Sequence, residues 1–74
     1  MEIETDLGKR IGRNIHLLCY DKSIKQKDLA EAAGVSEKAI SKAVSGEAML
    51  SVAKLHAVAN KLGVTIDALI NGGT

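Results

Sequence analysis

The sequence predicts an all-α domain of five helices, and three observations carry that reading. Apolar residues recur at spacings of three and four along the chain, as they do on one face of a helix. Proline is absent, while Ala, Leu, Ile and Lys are abundant. Ser, Thr and Gly punctuate the periodic stretches where helices begin and end. With 74 residues the chain makes one domain, since a chain of this size buries only about 60% of the surface its unfolded form exposes. The core must be aliphatic, because Phe and Trp are absent and Tyr20 is the only aromatic residue.

Residues 1–6 read as an acidic N-terminal tail carrying Glu2, Glu4 and Asp6. A first helix is expected from about Asp6 to Tyr20, with Thr5 or Asp6 as cap and Leu7, Ile11, Ile15 and Leu18 as its apolar stripe. Gly8 and Gly12 weaken its start by propensity. Ile24, Leu29, Ala30, Ala32 and Ala33 mark a second helix, which Gly34 ends in left-handed conformation. Ser36 caps a third, with Ala39, Ile40, Ala43 and Val44 at helical spacing until Gly46. Helices of about nine residues are unstable alone, so these two must pack on each other. Residues 47–50 connect to a fourth helix capped by Ser51, with stripe Val52, Leu55, Val58, Ala59 and Leu62 before Gly63. Thr65 caps a last short helix carrying Ile66, Leu69 and Ile70. The folded domain is thus expected over residues 7–71, with 72–74 a flexible C-terminus.

Charge is distributed unevenly. The net charge of +1 is low for a nucleic-acid module. Yet residues 7–27 carry Lys9, Arg10, Arg13, Lys22, Lys25 and Lys27 against Asp21 alone, about +5. Such a block reads either as a phosphate-facing stripe or as a solvated helix face balanced by the acidic tail. His16, His56 and Cys19 make no metal-ligand spacing, so neither metal nor cofactor is expected. Thr5, Ser23 and Ser45 have no identifiable base partner for triad chemistry. A core this small competes with any pocket of enzymatic size, which argues against an enzyme. One cysteine cannot form an internal disulfide, no basic-then-apolar leader opens the chain, and no apolar run approaches the ~20 residues of a membrane span. The expectation is a cytoplasmic protein of a bacterial host cell.

The most informative stretch runs from Gln26 to Lys42, QKDLAEAAGVSEKAISK. Small Ala30 allows two helices to approach, Gly34 makes the turn, Val35 seals it, and Ile40 anchors the second helix so that its opposite face is free. This stretch resembles the helix-turn-helix of the lambdoid phage repressors and Cro proteins. The register continues through Ile15 and Leu18 and through Gly46, Ser51, Leu55, Ala59, Leu62, Gly63, Val64, Thr65 and Leu69, covering about residues 7–71. The resemblance implies a lambda-repressor-like five-helix fold and sequence-specific binding to operator DNA as a phage- or bacterium-encoded transcriptional regulator. It implies that the helix at about 36–45 enters the major groove. Ser36, Glu37, Lys38 and Lys42 would then reach base edges with Ser41 beside them, and Gln26 would grip a phosphate. Lys25 and Lys27 would follow the backbone as part of the basic block.

Three departures from that family pattern stand out. The connection before Ser51 reads Glu47-Ala48-Met49-Leu50, where relatives often carry basic residues and an Asn-Pro pair. Cys19 and Val44 replace an Arg and a Glu that pair in many relatives, and both partners are apolar here. Lys25 stands where a capping Ser, Thr or Asn is usual. The apolar Ala48-Met49-Leu50 run keeps an alternative open: an antirepressor of the same fold that binds a partner repressor through these residues. A homodimer, if one forms, would have to use the exposed parts of the last helix, such as Ile66 or Ile70.

Overall fold

The computed structural model describes residues 3–72 and holds five helices among them. They are α1 (Ile3–Lys22), α2 (Gln26–Ala33), α3 (Glu37–Ser45), α4 (Val52–Leu62) and α5 (Ile66–Asn71). Three N-termini are capped as their residue types require. The hydroxyls of Ser36, Ser51 and Thr65 accept from the backbone N–H of Ala39, Lys54 and Ala68 at 3.1, 3.3 and 3.1 Å. A lysine side chain has no acceptor to offer α2. Instead the Asp28 carboxylate turns back and accepts the Lys25 backbone N–H at 3.3 Å, the half of a capping box that N3 supplies.

One aliphatic core joins all five helices. Ile11, Ile15 and Cys19 enter it from α1, Leu29, Ala30 and Ala33 from α2, and Ile40 from α3. Leu55, Val58, Ala59 and Leu62 enter from α4, and Leu69 from α5. Burying each of the larger side chains contributes about 1.5–3 kcal/mol, and this packing holds helices that are too short to persist alone. α2 packs against α3 and α4, while α1 lies against α3 on one side and α5 on the other. On the α5 side, Asn14 Nδ2 donates to the Leu69 carbonyl at 2.6 Å. That bond occupies one of the carbonyls a helix end leaves without an internal partner.

α1 departs from the sequence expectation at both ends. It begins at Ile3 rather than Asp6, so residues 3–6 belong to the helix and not to a tail. An acidic opening suits the positive end of a helix dipole. Residues 1–2 and 73–74, with Glu2 of the expected tail and most of the expected flexible terminus, lie outside the described residues. The helix ends at Lys22, and Ser23 takes the left-handed turn at φ +57° that glycine usually supplies. The Ile24 N–H closes that end on the Cys19 carbonyl at 2.9 Å.

The helix runs unbroken through Gly8 and Gly12. Gly12 is where α1 meets the end of α3: a Cβ there would stand 2.5 Å from the Ala43 carbonyl oxygen and overlap that of Val44. Only a residue without a side chain permits the contact.

Two further placements differ from expectation. Val52 is 75% exposed, because it opens α4 at the edge of the stripe. Ile66 and Ile70 are half-buried and packed against the core rather than fully exposed. Cys19 is buried, and desolvation pushes its thiol pKa up; Val44 packs partly against the same core. Among the described residues no helix is long and apolar enough to cross a membrane.

Candidate nucleic-acid interface

The two motif helices are joined by three residues whose conformations are all determined locally. Gly34 takes φ +70°, ψ 33°, and its N–H together with that of Val35 returns to the end of α2. Val35 is half-buried against the core, and Ser36 is extended at φ −77°, ψ 158° before α3 begins. α3 is then held from two sides. Ile40 and Ala43 are buried beneath it, and the Gly12 backbone of α1 abuts its last turn. A helix so gripped can expose only one face.

That face carries the residues the sequence singles out. Glu37, Lys38, Ser41 and Lys42 are all exposed, and helical geometry sets 38, 41 and 42 as neighbours. Ser36 is exposed as well; its Oγ accepts the Ala39 N–H, which leaves its hydroxyl proton and one lone pair free to bond outward. Ser45 lies on the same stripe and is not among the residues expected to contact DNA, although its position three and four residues beyond Lys42 and Ser41 would have placed it there. Its hydroxyl is shared between the Lys42 carbonyl at 3.0 Å and Glu47 Oε2 at 2.9 Å. The Glu47 carboxylate is thereby held at the C-terminal end of the exposed face.

At the start of α2, Lys25 and Lys27 are exposed and Gln26 is half-buried at the first helical position. The first-turn N–H groups of a helix have no internal acceptor, and their dipole favours an anion. Asp28 opposes that preference with a carboxylate in the same turn, already engaged by the Lys25 N–H. The cationic side chains here therefore matter more than the dipole.

Beyond α3, the three apolar residues of the connection do not form one patch. Ala48 is exposed and Met49 is 45% exposed, whereas Leu50 turns inward and packs on the core. Met49 reaches back over α1, its Cε 3.8 Å from where a Cβ on Gly8 would stand.

A family model for the helix-turn-helix, of the XRE or Cro/C1 type, matches residues 21–69. The chain belongs to the Cro/C1-type helix-turn-helix family. The matched region spans both motif helices, α4 and most of α5, and begins where α1 is ending. Members of this family are DNA-binding transcriptional regulators, which is the broad class of this protein. Among solved structures, the chain is similar to the clp gene regulator ClgR from Corynebacterium glutamicum, with a TM-score of 0.81 and 27% sequence identity. That match covers 85% of this chain and 67% of the ClgR chain. No curated protein sequence matches.

Proposed function

We propose that this chain is a sequence-specific regulator of the repressor type, encoded by a phage or bacterium and acting in the cytoplasm of its host cell. The observation that carries the reading is the division of α3 into a buried face, Ile40 and Ala43, and a wholly exposed polar face, Glu37, Lys38, Ser41 and Lys42. A rigid helix with this second face free is shaped for the major groove. Lys38 and Lys42 are suited to donate to guanine O6 and N7, Glu37 to accept from cytosine N4, and Ser41 and the Ser36 hydroxyl to pair with several base edges. Gln26, Lys25 and Lys27 would contact the phosphates that set the register. Like other regulators of this architecture, it would act on two half-sites about one helical turn apart.

Exposed Met49 and Ala48 favour a second reading, in which the same fold binds a partner repressor and blocks it. The inward turn of Leu50 narrows that surface. Selection of bound sequences from random DNA, followed by affinity across a salt series, separates the two. The proposal expects a defined preferred site and log Kd rising linearly with log salt. Binding that stays near the non-specific range of ~10⁻⁴–10⁻⁶ M on every sequence, alongside a tight complex with a co-expressed repressor, would overturn it.

A further inference from the structure

We propose that the outer face of α1 docks a second copy of this chain, helix against antiparallel helix, about a two-fold axis at Leu17. Two large side chains of α1 stand exposed there: Leu17 is 55% exposed and Tyr20 is 86% exposed. With Asn14, Leu18, Asp21 and Gly72 they line an open groove of about 330 Å³ between the second half of α1 and the end of α5. This face lies almost entirely before residue 21, where the family match begins.

The charge pattern says what covers it. Arg13, Leu17 and Asp21 stand four residues apart and form one ridge along the helix. At a rise of 1.5 Å per residue, Arg13 and Asp21 lie about 6 Å on either side of Leu17. In an antiparallel pair centred on Leu17, Arg13 comes level with the partner's Asp21, and the symmetry makes the same pair twice. A parallel pair would set like charges side by side. The ridge reads cation, apolar, anion, which is complementary to itself and only in the antiparallel sense. Tyr20 comes level with the partner's Asn14. Nδ2 of Asn14 is committed to Leu69, which leaves Oδ1 to accept from the phenol.

The groove is on the α5 side of α1, and α3 packs on its other side through Gly12. A copy docked on Leu17 therefore leaves the exposed face of α3 uncovered. One particle would then carry two recognition helices related by a two-fold axis. That consequence rests on the function proposed above, whereas the dimer itself does not. A single helix pair lies at the small end of specific interfaces, so the dimer is weak and forms as concentration rises.

Sedimentation equilibrium of the full chain, from about 10 µM to about 1 mM, tests the proposal. The wild type should shift from 7.8 kDa toward twice that mass. Leu17→Glu should raise the dissociation constant at least ~10-fold, with its helical circular dichroism unchanged because the site is exposed. Arg13→Asp and Asp21→Arg should each weaken the dimer, and the two together should restore it. A wild type that stays at the monomer mass, a dimer that survives Leu17→Glu, or a double reversal that restores nothing would overturn the proposal. DNA binding to a single half-site, measured on the same Leu17→Glu preparation, keeps the two readings apart: it should be retained whatever happens to the dimer.

Discussion

In its first half α1 meets α3 backbone to backbone, with Gly12 set against the Ala43 and Val44 carbonyls. In its second half the same helix holds Leu17 and Tyr20 out in solvent. The first arrangement omits a side chain so that a neighbour can come close; the second presents side chains for which the monomer has no neighbour. A glycine inside a helix and a leucine on its surface both read as local defects by propensity and burial rules. Here each is explained by what lies, or is proposed to lie, against it. The consequence for function is a division of labour within one helix. Gly12 sets the position of α3, and Leu17 lies on the side away from it.

Glycine substitutions break the comparison most forcefully. Gly12→Ala adds helix propensity of up to ~1 kcal/mol but drives a Cβ into backbone carbonyls, so it should destabilise by about 1–3 kcal/mol in urea unfolding. Gly8→Ala, one turn earlier, meets only ordinary contacts at 3.6 and 3.8 Å. It should be neutral or stabilising by up to ~1 kcal/mol. Equal effects at the two sites would show that close approach to α3 does not govern this half of the helix. Gly12→Ala should also impair DNA binding more than its stability loss explains, because α3 must shift to make room.

A smaller effect sharpens the same idea at α2, whose N-terminus has a cation where a cap belongs. Lys25→Ser should supply the missing acceptor and stabilise the fold by about 0.5–1 kcal/mol. The same change should weaken binding to all DNA sequences alike and reduce the salt slope by about 1. A gain in stability with no change in slope would assign Lys25 to ordinary solvation.

The smallest effect concerns the core beneath α1. Burial raises the Cys19 pKa, so the folded chain keeps a proton that the unfolded chain sheds. Stability from this group is complete below about pH 8.5, the usual thiol value, and is lost as pH rises through the folded pKa. Thermal unfolding of wild type and Cys19→Val between about pH 7 and pH 10 should show a steeper alkaline decline for the wild type. Parallel curves would mean the thiol ionises as readily folded as unfolded.

Most of the fold was legible because its boundaries are written in single residues. Ser36, Ser51 and Thr65 each cap the helix they were expected to cap, and Gly34 takes the left-handed turn that the motif needs. The end of α1 was not legible, since Ser23 adopts positive φ without being glycine. Gly12 was misread because propensity is local, while the carbonyls it accommodates lie some thirty residues further on. Which apolar residues would remain outside was equally hidden. Val52 and Leu17 fit apolar spacing or composition, and only the arrangement of the other helices leaves them uncovered. The exposed face of α3 was readable in part from its period, and that period also contained the overlooked Ser45.

The central claim is that the exposed face of α3 reads DNA, and a comparison of Lys42→Ala with Met49→Asp on one selected DNA site tests it most directly. Both residues are exposed, so neither change should unfold the chain. Affinity would be measured at fixed salt on the preferred site and on each of its single-base variants. The account predicts that Lys42→Ala costs about 1–3 kcal/mol and relaxes preference at one base position, with Met49→Asp costing less and leaving the preference intact. The contrary result is an inverted order, in which Lys42→Ala leaves site preference untouched while Met49→Asp abolishes a stable complex with another repressor.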